Sequence, residues 1–196
     1  MATSKLLIPE LDGTPKQFTF ADFAGDFSPA TATDQRHPSV ADTDVQMALA
    51  SLANNTAWQT AKFDFGTLRS PMWAKAALEF AATPTAGNVV ELWIGYSDSG
   101  TAANGNPANL TGSSAAYSGY SSNLDASIKQ LDFIGEFVCT AQATATVQVA
   151  KASGLFIPKS RYGILVVYNK SGAAIHSDDV ECHIVLSPVF NQGQAA

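Results

Sequence analysis

From residue 89 to residue 189 the chain is a succession of β-type runs separated by turn residues. They are VVELWIGY (89–96), SIKQLDFIGEFVC (127–139), ATATVQVA (143–150), RYGILVVYN (161–169) and VECHIVLSPV (180–189). In the first, Val90, Leu92, Ile94 and Tyr96 alternate with Glu91, Trp93 and Gly95, the period of a strand with one buried face. The stretch 163–168 is apolar almost throughout, as in a strand covered on both faces. The run 127–139 breaks near Gly135, and Leu155, Phe156 and Ile157 form a short apolar step before Pro158. Short strands spaced by turn signals build an all-β fold, here an antiparallel β-sandwich of eight to ten strands, jelly-roll-like.

The first forty residues differ. QFTFADF (17–23) reads as a strand with Phe18 and Phe20 on one face and Phe23 on the other. The following mixture of Pro, Thr, Ala and Asp has no period and reads as extended chain. The expected organisation is an N-terminal arm over 1–40 and a single sandwich domain over 41–196. An arm with aromatics needs a surface to lie on, its own subunit before a neighbour's. Phe18, Phe20 and Phe23 are therefore candidate interface residues. Residues 44–54 fit either a strand or a helix and are read as a strand, because 60–68 and 73–82 are β-like. Residues 82–88 read as a turn joining antiparallel strands.

Residues 98–125 form a long loop rich in Gly, Ser and Asn, and loops of that length are often functional. Tyr117 and Tyr120 stand in it as further candidate interface residues, since Tyr in a Ser- and Gly-rich loop is the composition of protein-contact loops. With Trp93 and Tyr96 they also offer a stacking platform for a sugar.

Only 14% of the residues are charged, against roughly 25% in an average soluble domain. A surface so poor in charge lacks the usual defence against association. It is expected to be covered by copies of the chain or by a partner. The net charge is −6, with 11 scattered Lys and Arg, which argues against nucleic acid as a partner. No apolar run approaches the roughly 18 residues a spanning helix needs, so no membrane is expected. The start MATSKLLIPELDG does not read as a secretory signal, so synthesis and folding in a cytoplasm are expected. Cys139 and Cys182 lie in predicted strands and read as buried free thiols.

Motifs for catalysis, phosphate binding or structural zinc do not occur. The histidines and acids of HSDDVECH (176–183) read as a solvated turn entering a strand. Asp98 and Asp125, which bracket the long loop, lack the ligand spacing of a calcium site. No catalytic, cofactor or metal residues are expected, and the chain does not read as an enzyme.

RYGILVVYNKSGAAIHSDDVECHIVLSPV (161–189) resembles a segment near the C-terminus of small tailed-bacteriophage virion proteins, where a strand ending in Tyr-Asn leads through Ser-Gly and Ala-hydrophobic-His to a final strand. ELWIGYSDSGTAANGNPANLTGSSAAYSGYSSN (91–123) is similar to their mid-section. The resemblance covers about half of the chain. It implies a structural component of the bacteriophage virion, specifically a capsid decoration or cement protein bridging capsomers. The implied partners are the major capsid protein and the chain itself, as a homo-oligomer with a trimer favoured by symmetry. The implied place is the capsid exterior, after synthesis in the host cytoplasm. The alternative is a tail-associated receptor- or carbohydrate-binding module.

Overall fold

The computed structural model describes residues 16–67 and 70–189. In chain order the strands are β1 (Lys16–Ala21), β2 (Ala41–Gln46), β3 (Thr56–Gln59), β4 (Phe63–Asp64), β5 (Met72–Leu78), β6 (Val89–Ser97), β7 (Ala115–Tyr117), β8 (Asp132–Val138), β9 (Gln148–Lys151), β10 (Tyr162–Lys170) and β11 (His183–Pro188). A short helix, α1 (Leu124–Ile128), begins at Asn123, whose side chain accepts from the Ala126 amide at 3.2 Å. An asparagine in this position satisfies an amide that the first helical turn leaves unpaired.

Two sheets result. The first has the order β2-β1-β11-β5-β9 and the second β7-β3-β10-β6-β8, with β4 also paired to β10. Among the described residues only the β1–β2 pair is parallel. Four antiparallel pairs are nested in sequence: β6 with β8, β5 with β9, β3 with β10, and β1 with β11. The chain is in effect one long double-stranded hairpin, closed by the segment between β6 and β8 and rolled so that alternate pairs fall in opposite sheets. The antiparallel sandwich expected from the alternating runs is what forms.

Period-2 alternation sorts side chains between two cores. Leu92 and Ile94 of β6 and Leu165 and Val167 of β10 point between the sheets. They meet Phe18 and Phe20 of β1, which lie 5.1 and 5.0 Å from the Phe63 ring. Ile164, Val166 and Tyr168 point to the other side of the second sheet. Residues 98–114 and 118–131 cover that side as a third layer, closing a smaller core of Leu110, Ile128 and Leu131 with Tyr117 of β7. The layer lies so close that a methyl on Gly95 would sit 2.2 Å from Leu110 Cδ1.

One cation fixes much of this layer. The Lys62 ammonium donates to Ser97 Oγ and to the carbonyls of Ser99, Thr101 and Asn104 at 2.8–3.0 Å. Three carbonyls and a hydroxyl converging on one ammonium replace its hydration shell and tie down a segment with little apolar content of its own. Burial lowers the Lys62 pKa.

Four expectations are corrected. Residues 16–21 belong to the sandwich and not to an arm, because β1 is paired on both sides. Residues 22–40 run as irregular chain along the same subunit, where Ser28 N donates to Val180 O at 3.0 Å; residues 1–15 lie outside the described residues. The strand expected over 44–54 stops at Gln46, although Met47, Leu49 and Leu52 still enter the core. Residues 82–88 cross from one sheet to the other, since β5 and β6 are not neighbours. The front of the run 127–139 is helical, because Asn123 caps a turn there.

Cys139 and Cys182 are buried free thiols. Burial pushes the Cys139 thiol up to about 11 and raises that of Cys182 further. Neither is a reactive thiolate near neutral pH.

Candidate interaction surface

On one side of the sandwich both sheets end in open strands, β8 and β9. An open strand presents unpaired backbone N–H and C=O groups and is a template for another chain. On this side the backbones approach closely. A methyl on Gly135 of β8 would sit 2.3 Å from the Ala152 carbonyl oxygen and 2.5 Å from Ser153 Cα.

A β-bulge shapes the edge. The β6–β8 register shifts between Leu92 and Trp93, so that Leu92 faces Gly135, Trp93 faces Phe133, and Ile134 is the extra residue. A bulge re-aims side chains. Here Ile134 goes into the core and Phe133 goes out, 50% exposed. Its ring meets that of Trp93 edge-on, with centroids 4.9 Å apart. The Trp93 indole donates to Glu91 at 3.0 Å, and Glu91 is paired with Lys170 at 2.8 Å.

The segment after β9 completes the surface. Phe156 bridges to Met72 of the first sheet, which leaves its neighbours Leu155 and Ile157 pointing outward at 63% and 62% exposure. A groove of about 340 Å³ lies between this segment and β8, with Trp93, Leu131, Phe133, Phe156 and Ile157 on its walls. Lys159 and Asp132, paired at 2.5 Å, border it. Val138 and Val149 are exposed farther along β8 and β9. This is an open recess of mixed polar and apolar lining, with an aromatic pair at its mouth and strand edges beside it.

The residues singled out from sequence fall elsewhere. Phe18 and Phe20 are core residues of β1. Phe23 stacks on Phe27 at 5.1 Å, and Phe27 leans on His183 at 5.4 Å. Tyr117 is 3% exposed and donates its hydroxyl to the Ala108 carbonyl at 2.7 Å. Burial pushes its pKa up to about 12. Of the five, Tyr120 alone presents a largely exposed ring. Nor do the aromatics form one sugar platform, because Trp93 and Tyr96 point to opposite faces of β6. The surface that forms was signalled in part by the apolar step 155–157: where one face is covered, alternation puts the middle of three consecutive apolar residues opposite its two neighbours, so apolar surface is left exposed.

The histidine and acid run does not converge either. Buried His183 accepts from the Gln35 amide at Nε2 (3.0 Å) and sets Nδ1 against the Glu181 carbonyl (2.8 Å). His176 Nδ1 lies 3.6 Å from Glu79. Asp98 accepts from Ser160 and Asp125 from Tyr168. Among the described residues, Asp22, Asp26 and Asp179 bring carboxylate oxygens within 4.8 Å of one another. Asp179 caps the Leu49 amide at 2.9 Å.

Comparison with known proteins finds no protein-family model that matches this chain and no curated protein similar to it.

Proposed function

We propose that this chain is a structural subunit of a tailed-bacteriophage virion, a decoration protein on the capsid exterior that bridges capsomers. The observation that carries the reading is the open apolar edge at β8 and β9. Open strand edges with exposed Phe133, Leu155 and Ile157 beside them favour contact with another protein. The low charge content works in the same direction.

We read the fold as a jelly roll. Nested antiparallel pairs rolled into β1-β11-β5-β9 facing β3-β10-β6-β8 support that reading, and jelly rolls recur in capsid proteins. Docking would bury the edge against the major capsid protein, with copies arranged around a symmetric position and a trimer favoured. Stability then comes from apolar area removed from water, at about 25 cal/mol per Å² before the cost of association.

Particles made without the protein test this reading. They should release DNA at a lower temperature than complete particles, and adding purified protein should restore the difference. Undiminished heat resistance in particles lacking the protein refutes decoration.

A further inference from the structure

One of the oxygens that surround the Lys62 ammonium belongs to a reactive pair. The Asn104 carbonyl is part of the peptide group that continues to Gly105, and this is the one asparagine in the chain followed by glycine. The chemistry open to such a pair is an internal attack. The Gly105 nitrogen, once deprotonated, closes a five-membered ring on the side-chain carbonyl carbon of Asn104, and glycine has no Cβ to obstruct the approach.

The structure supplies what this reaction needs. Both residues are exposed, and among the described residues neither the Asn104 side chain nor the Gly105 N–H has a hydrogen-bond partner. No bond has to break before the ring closes. The difficult step is loss of the proton, because an amide N–H is a very weak acid. Here the carbonyl oxygen of the same peptide group accepts from Lys62 Nζ at 2.8 Å and from the Ser97 hydroxyl at 3.1 Å. Deprotonating an amide nitrogen moves negative charge onto its carbonyl oxygen. A cation and a hydroxyl already aimed at that oxygen stabilise the charge as it develops.

The other described asparagines each lack a requirement. Asn106 precedes Pro107, which has no N–H, and its amide is bound to the Ala102 and Leu110 carbonyls. Asn54, Asn109, Asn123 and Asn169 are engaged through their side chains. Asn55 and Asn88 precede Thr56 and Val89, whose branched side chains crowd the nitrogen.

We propose that Asn104 is a self-modification site activated by Lys62. The Gly105 nitrogen bonds to Asn104 Cγ, and the side-chain amide takes up a proton and leaves as ammonia, giving a succinimide. Water then opens the ring. The backbone carbonyl is the one that Lys62 polarises, so water adds there, the bond from that carbon to the Gly105 nitrogen breaks, and the product is isoaspartate. One water is consumed and one ammonia released, with no change in oxidation state. The new carboxylate forms against the Lys62 ammonium, an ion pair in place of a neutral acceptor. The layer over the second sheet thus carries a chemical clock, independent of the decoration reading.

The test is peptide mapping by mass spectrometry after incubation in mildly alkaline buffer. Conversion at Asn104 should run about tenfold faster in the folded chain than in a synthetic peptide of residues 101–108. The converted segment should resist a protease that cleaves before aspartate, as isoaspartate does. Lys62→Met should bring the rate down to that of the peptide, with circular dichroism checking that the variant is folded. Ser97→Ala removes the second donor to the same oxygen and should slow conversion about threefold. A folded rate no greater than that of the peptide overturns the proposal, and so does a rate that both folded variants leave unchanged. A product that is mainly ordinary aspartate overturns the directed ring opening.

Discussion

The two lateral rims of the first sheet handle the same hazard in opposite ways. At one rim β2 carries Asp42 and Asp44 on its exposed positions. Thr19 of the adjacent strand donates to both Asp42 oxygens at 2.8 Å, and Gln46 reaches back to Asp22. Asp22, Asp26 and Asp179 add negative charge close by. Burial raises the Asp42 pKa, the Thr19 bonds lower it, and Asp44 raises it further. The strand is parallel to β1 and acidic. At the other rim β9 runs beside β8, with Val149, Val138 and Phe133 exposed. The first rim follows the rule that charge blunts an edge. The second carries exposed Glu136 and Lys151 as well, but sets Phe133, Val138 and Val149 bare among them, which leaves apolar surface open to another chain.

The largest effect should come from removing the first rim. Deleting residues 1–40 takes away β1, with Phe18 and Phe20, and uncovers β11. The product should show no cooperative unfolding transition, whereas a chain lacking only residues 1–14 should keep the β-type far-ultraviolet circular dichroism of the natural one. A cooperatively folded 41–196 fragment would mean that the acidic rim is dispensable and that the comparison is drawn in the wrong place.

Next in size is the effect of charge placed on the second rim. Phe133→Asp with Ile157→Asp should weaken binding to particles lacking the protein by roughly 100-fold, about 2.7 kcal/mol. Its melting temperature should shift little, because both side chains are exposed. Asp44→Lys on the opposite rim should leave binding unchanged in the same co-sedimentation titration. Equal losses from both variants would erase the functional distinction between the rims.

The closeness of β8 to the segment after β9 gives a stability test. Gly135→Ala inserts a methyl 2.3 Å from a backbone oxygen, and relieving such a contact costs about 2 kcal/mol. Urea unfolding should show the midpoint reduced with the slope retained. An unchanged midpoint would mean that the edge gives way easily.

The smallest effect concerns the acidic rim and pH. Burial raises the Asp179 carboxyl above the ordinary aspartate value of 3.8, and the charges of Asp22 and Asp26 add to this against the capping amides. The folded state therefore holds this proton more tightly than the unfolded one. Its contribution to stability is complete below about pH 3.8 and is lost as pH rises through the higher folded value. Asp26→Asn removes part of the repulsion. The decline in melting temperature from about pH 4 upward should then be shallower, by about 1–2 °C for a chain of this size. An identical decline in both would show that Asp26 does not act on Asp179.

Apolar patterning was enough to read β6, β10 and β11, by alternation in β6 and by an unbroken apolar run in β10. The break seen near Gly135 was the bulge, although its consequence for Phe133 depends on a partner strand that the local pattern does not name. Tyr117 misled because its surroundings are polar. What buries it is a layer held by Lys62, whose carbonyl partners lie 37–42 positions away, and no local composition signals such a hub. The nested pairing was not legible for the same reason: β1 and β11 are joined by register alone, across almost the whole chain.

That nesting sets an order of events during synthesis. The pair closed first in sequence terms is β6 with β8, and every later pair brackets a longer loop whose closure entropy grows with its length. The first sheet has β11 between β1 and β5, so until residues 183–188 leave the ribosome β1 has no antiparallel neighbour. The emerging chain thus carries Phe18 and Phe20 uncovered for most of its translation. Folding is weighted to the end, with high contact order and a correspondingly slow final step. In a cell the exposed interval, rather than the finished fold, is when this chain most depends on chaperones.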